Sequence, residues 1–193
     1  MKLCAPVIMT LAMVSMLATS PMETITPHVG GLELSKPRTE VQSKFDFDLE
    51  VYADRISKQE SGFDEKAISR SGLYVGLYQI GDLALKDVGV YPDISVKKFK
   101  RDRSVFPKHK QREVLFMIAE KNQQYLGKMI HKYEGRVIGG YKITEAGMLA
   151  AAHHIGATAV KQFLNSDGRI VKTDGSGVKM TKFIREMEDG CGI

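Results

Sequence analysis

The chain has 193 residues, of which 43% are hydrophobic and 26% charged. That length and balance fit one globular domain and exclude a polytopic membrane protein or a wholly disordered chain. Lysine and arginine outnumber the acids 28 to 23, and the net charge of +5 suits an anionic partner such as nucleic acid, an acidic membrane or an acidic cell wall.

Lys2 is the only charge in the first 22 residues, and the run from Leu3 to Ala18 is broken only by Pro6, Thr10 and Ser15. With the small residues Ala18, Thr19 and Ser20 behind it, this reads as a secretory signal peptide over residues 1–20. The run is shorter than the roughly 20 residues of a spanning helix. Pro21 is unfavourable directly after the cleavage point, so an uncleaved N-terminal anchor is the alternative. Cleavage removes Cys4 and leaves Cys191 as a lone cysteine, unpaired or paired between chains, with no chemistry assigned to it. Residues 21–43 carry Pro21, Pro27, Gly30, Gly31 and Pro37 without any period, which predicts a flexible linker ahead of a domain over 44–193.

From there the pattern is mostly helical. Leu49, Tyr52, Ile56 and Glu60 share one helical face, with Gly62 placed to end the helix. Residues 64–78 read as a loop and Gln79 to Val88 as a short helix. Pro92 to Pro107 is irregular and very basic. A long helix is expected from Lys108 to Tyr133, striped by Leu115, Ile118, Tyr125, Leu126, Met129 and Tyr133 and interrupted by Asn122. Gly135 to Ile143 is a turn or short extended stretch. Thr144 caps a helix carrying Met148, Leu149, Ala152 and Ile155, and Gly156 divides it from Thr158 to Leu164. A Gly- and Asp-rich loop over 165–177 precedes a last helix from Lys179 to Met187. The fold class is therefore mainly α, a single globular helical domain with at most a minor β element.

Three short stretches carry the chemistry: Gln59-Glu60-Ser61-Gly62-Phe63, Gly76-Leu77-Tyr78-Gln79-Ile80 and Ala152-His153-His154-Ile155-Gly156. Glu60 stands at the C-terminal end of its helix, where the helix dipole disfavours a carboxylate. Burial against apolar neighbours such as Ile56 and Phe63 would act in the same direction. A carboxyl group kept in its acid form near neutral pH is a general acid. By itself a glutamate in such a place is more often a solvated helix end.

The order and wording of the three stretches resemble the lytic transglycosylase and goose-type lysozyme superfamily over about Leu49 to Leu164. Glu60-Ser61, followed by Ala67-Ile68-Ser69 and Ser71-Gly72, matches that family's Glu-Ser motif. Gly76-Leu77-Tyr78-Gln79 matches its Gly-Leu-Met-Gln, with Tyr in place of Met. Ala152-His153-His154-Ile155-Gly156 follows its Ala-Tyr-Asn-x-Gly only in outline. The resemblance implies an α+β lysozyme-like fold and cleavage of peptidoglycan between N-acetylmuramic acid and N-acetylglucosamine, with no cofactor. Glu60 would be the single acid and base, giving 1,6-anhydro products. Ser61 would orient Glu60 or the sugar, Gly76 would let the backbone approach the glycan, and Leu77, Tyr78, Gln79, His153 and His154 would complete the substrate site. The implied setting is the periplasm or the cell exterior of a bacterium, with peptidoglycan strands, and an envelope-spanning secretion or flagellar assembly, as partners.

Two other classes stay open at this level. An inverting muramidase needs a second carboxylate about 6.5–9.5 Å from the acid, and Asp82 is the first candidate ahead of Asp64, Asp87 and Asp93. A non-catalytic peptidoglycan-binding protein would keep the cleft but has no need of the acid. The adjacent histidines diverge by about 100° on a helix and so do not share a metal ion. The basic run Lys97-Lys98-Phe99-Lys100-Arg101-Asp102-Arg103 is a solvated face or a grip for the carboxylates of wall peptides. Nucleic acid is discounted for an exported protein.

Overall fold

The computed structural model describes residues 38–42 and 44–192. The expected signal peptide and most of the expected linker lie outside these. The linker's final residues do have structure: Arg38–Gln42 forms a short helix, α1. Gln42 fastens it to the domain, its Nε2 donating to the Phe47 carbonyl (2.6 Å) and its Oε1 accepting Leu49 N–H (3.1 Å).

Helix α2 (Leu49–Glu60) begins where Asp48 accepts the Glu50 and Val51 N–H groups, and ends at Ser61. Gly62 then takes the left-handed φ of +62° that reverses the chain. Tyr52, Ala53, Ile56 and Ser57 are the buried face. A small antiparallel hairpin follows, β1 (Tyr74–Val75) and β2 (Ile80–Gly81), with Tyr74 opposite Gly81 and Val75 opposite Ile80. Val75 also bridges Ile68 on its other side. Helix α3 (Asp82–Asp87) runs straight out of β2.

The basic segment contains α4 (Val96–Arg101) and a 3-10 turn, Arg103–Val105. Only Val96 and Phe99 of α4 are buried, so its charged residues hide the helical spacing in the sequence. The expected long helix is two: α5 (Lys108–Leu126) and α6 (Met129–Tyr133), divided by Gly127 at φ +53°. Asn122 belongs to the buried face of α5, whereas Tyr125 is turned outward and donates its hydroxyl to Asp87 (2.6 Å). A second hairpin, β3 (Val137–Ile138) and β4 (Tyr141–Lys142), leads into α7 (Glu145–Ile155).

α7 is the centre of the domain. Its residues from Glu145 to Ala152 are all buried, which requires partners on every side. These are α5, α8 (Ala157–Asn165) and α9 (Met180–Arg185). A glycine lets α9 approach α7 closely: a Cβ on Gly147 would stand 3.3 Å from the Ile184 carbonyl oxygen. Thr144 caps α7 by accepting Gly147 N–H (3.0 Å), and Gly156 at φ +90° ends it. The described residues share one hydrophobic core and, among them, no helix is long and apolar enough to cross a membrane. The protein is mainly α, and among the described residues these two small hairpins are its sheets.

Candidate active site

Glu60 is the last residue of α2, and His153 and His154 lie in the last turn of α7. The two helix ends bring these three side chains together across 93 and 94 positions of sequence. His154 Nδ1 lies 2.8 Å from Glu60 Oε1, and His153 Nε2 lies 3.9 Å from the same oxygen. Both histidine side chains are 6% exposed and that of Glu60 is 21% exposed. Glu60 Oε2 has no hydrogen-bond partner among the described residues.

The two rings are fixed by different neighbours. His154 stacks on Phe183 of α9, with centroids 3.6 Å apart and planes 8° from parallel. His153 meets the His154 ring edge-on, and its Nε2 stands 3.0 Å from the Tyr78 carbonyl oxygen. A carbonyl only accepts, so Nε2 carries the hydrogen in that bond. Burial, helped by the neighbouring His154, pulls the His153 ring down to about 4, against the opposing pull of Glu60 and the Tyr78 carbonyl. His153 is thus neutral at pH 7, with Nδ1 buried and unpartnered.

A loop over 166–178 supplies the nearby charge. Asp174 Oδ1 accepts Ser176 N–H, Ser176 Oγ–H and Val178 N–H, each at 2.8 Å. Burial works against its charge, but these donors, with His154 adding to them, hold the carboxyl below the usual range. Asp174 is therefore a carboxylate on the His154 side of the site.

The remaining expected site residues have other work. Ser61 Oγ donates back to the Ser57 carbonyl (3.3 Å) and so finishes α2 rather than orienting Glu60. Gly76, Leu77 and Tyr78 are buried, which corrects their expected place along a glycan cleft. Gly76 faces Gln111, not a ligand: a Cβ there would sit 2.3 Å from Gln111 Oε1. Leu77 N–H donates to that same oxygen (2.6 Å). The Tyr78 ring is in the core, where its hydroxyl meets Arg112; only its carbonyl reaches the site. Gln79, at φ +46°, donates its amide to the Gly76 carbonyl (2.8 Å) and closes the hairpin loop. Asp82 accepts Val96 N–H (2.8 Å) and ties α3 to the start of α4. Phe63 is 57% exposed, so the shielding of Glu60 comes from the histidines instead.

Three residues escaped the sequence reading. Phe183 and Asp174 flank His154, and no local pattern marks either. Gln111 is the anchor beneath the hairpin: its Nε2 donates to the carbonyls of Glu65 (2.9 Å) and Phe106 (2.7 Å) while Oε1 holds Leu77. A buried glutamine on the apolar face of α5 was the one available signal.

The site has one carboxyl group with an engaged oxygen and an unengaged one, beside a neutral imidazole and a fixed anion. That arrangement is suited to proton transfer. Among the described residues, no group of three or more His, Cys, Asp or Glu is placed to hold a metal ion. No family model, curated protein or solved structure matches the chain.

Proposed function

We propose that the protein is an exported peptidoglycan lytic transglycosylase, cleaving the β-1,4 bond after N-acetylmuramic acid with Glu60 as its one general acid and base. The observation that carries this reading is the Glu60 carboxyl itself, about four-fifths shielded at a helix C-terminus, with Oε1 occupied and Oε2 unengaged. The order of the three motifs in the sequence supports the same reading. Glu60 in its acid form protonates the glycosidic oxygen as the bond to C1 breaks. The resulting carboxylate takes the proton of the muramic acid 6-hydroxyl as that oxygen closes on C1. Atoms balance without water, and Glu60 returns to its acid form.

A hydrolytic outcome is the second reading, and Asp174 favours it. An inverting muramidase needs an ionised carboxylate apart from the acid, and Asp174 is a carboxylate held ionised by its own hydrogen bonds, with His154 adding to them, whereas Asp82 ties α3 to the start of α4. The exposed lysines and arginines of α4 would face the carboxylates of wall peptides in either case.

Mass spectrometry of muropeptides released from purified peptidoglycan separates these outcomes. Anhydro-muramic ends, lighter by one water, are expected from the wild-type protein. Glu60→Gln should lower the release about 10²–10⁴-fold while the protein still sediments with the wall. Reducing ends would replace the transglycosylase by a muramidase. Release that survives the substitution would remove Glu60 from the chemistry, and wild-type protein that binds without release would leave a wall-binding module.

A further inference from the structure

His154 occupies a place where a residue lining a sugar site would be of little use. Its ring is buried, clamped face-on by Phe183 and edge-on by His153, and its one polar contact is Glu60 Oε1 at 2.8 Å. Its other ring nitrogen, Nε2, is buried with no partner. A hydrogen on Nε2 would therefore be an unsatisfied buried donor, which costs about 1–3 kcal/mol. A hydrogen on Nδ1 has an acceptor at hand. The contacts thus select one tautomer, Nδ1–H with a bare Nε2.

We propose that His154 is the positioning residue for Glu60, its Nδ1–H holding Oε1 so that Oε2 alone exchanges protons with the substrate. This rests on the reading of Glu60 as the acid and base. The proton on Oε2 passes to the glycosidic oxygen, whose electron pair comes from the broken bond to C1. Oε2 then receives the proton of the hydroxyl that attacks C1. The hydrogen on His154 Nδ1 stays where it is throughout. Without it the carboxyl group is free to rotate, and either oxygen presents to the substrate at random. The charged or titratable groups that face this pair are His153 from α7 itself, fixed neutral, and Asp174 from the 166–178 loop. α9 contributes the Phe183 ring, and the hairpin the Tyr78 carbonyl, through His153.

The role differs from packing, and two substitutions separate them. His154→Phe keeps an aromatic ring against Phe183 but has no N–H. His154→Asn loses the ring but offers an amide N–H near the position of Nδ1. With wall glycan as substrate, H154F should lower kcat about 10²-fold with KM within about twofold, and should change the shape of the pH–rate profile. H154N should recover most of the lost turnover despite its weaker packing. Ring-nitrogen NMR of the wild-type protein should show the neutral His154 ring carrying its hydrogen on Nδ1, with Nε2 bare. An Nε2–H tautomer overturns the inference, as does an H154F enzyme with wild-type kcat and profile. H154N as slow as H154F would also overturn it, by making the ring and not the donor the requirement. A wild-type protein that releases no sugar overturns the enzymatic reading and this inference together, whereas the other results remove the inference alone.

Discussion

His153 and His154 are neighbours on one helix turn, and both rings are nearly closed to solvent. His153 carries a cost that stability measurements will register. Its ring is pulled to about 4 in the folded protein but titrates near 6.5 when the chain is unfolded. Between those values the unfolded chain binds a proton that the folded protein refuses, so stability is complete above pH 6.5 and falls as the pH drops toward 4. The loss amounts to about 3 kcal/mol. Urea unfolding at a series of pH values should show it, and His153→Gln, which keeps a donor for the Tyr78 carbonyl but does not titrate, should flatten this part of the profile. Equal slopes for the two proteins would mean that His153 takes up its proton while folded. Cys191 is the opposite kind of residue, silent at ordinary pH. It is fully buried, its thiol pushed up to about 11 by burial, with Sγ 3.3 Å from the Met187 sulfur. That placement removes the expectation of a pairing between chains. The native protein should not react with a thiol reagent over hours in which the urea-unfolded chain reacts fully.

At the scale of elements, one side chain of α5 anchors the hairpin from Tyr74 to Gly81. Gln111 satisfies the Leu77 N–H and the carbonyls of Glu65 and Phe106, all in regions that form no regular ladder of their own. Gln111→Ala leaves these backbone groups without partners and should cost at least about 2 kcal/mol in denaturant unfolding. It should also speed proteolysis in the segment between α2 and β1. Gly76→Ala attacks the same contact from the other side, because the added Cβ meets an amide already held by its hydrogen bonds and φ is +77°. If Q111A unfolds at the wild-type midpoint, the hairpin has another support. These elements also mark what a sequence can disclose. Caps and spacings announced α2, α7 and α8, since Gly62, Thr144 and Gly156 act within a few residues of the helices they bound. The break at Gly127 was invisible because apolar residues continue in step across it into α6. Glu60 was legible as a motif. Its partner was not, because the contact with His154 depends on where α7 packs, and Asp174 and Phe183 reach the site from still later elements.

Across the whole molecule, the last residues of the described chain fold back onto the first long helix. Asp48, the cap of α2, donates its N–H to the Cys191 carbonyl (3.0 Å). Further along α2, Arg55 grips both carboxylate oxygens of Asp189 at 2.6 Å and also donates to the Glu186 carbonyl. Arg55 holds the Asp189 carboxyl down to about 2, so this contribution to stability is present above about pH 4 and fades as the pH falls through 2. The Asp189 side chain is 60% exposed, and solvent screening limits the pair to about 0.5–1 kcal/mol. Asp189→Asn should lower the unfolding free energy by that amount at pH 7, and high salt should shrink the difference. A larger loss would show that the helix and the tail are coupled through more than this pair.

The clasp also brings the start of α2 beside the last described residues. Asp48 and Cys191 are within one hydrogen bond, so the path of the chain from α2 onward is nearly a closed loop. A unit with that topology can be spliced into a host loop without stretching either end, or its ends can be joined and the chain reopened at another surface turn. The exposed Gly139–Gly140 turn of the second hairpin, away from Glu60 in sequence and free of regular structure, is the natural place to reopen it.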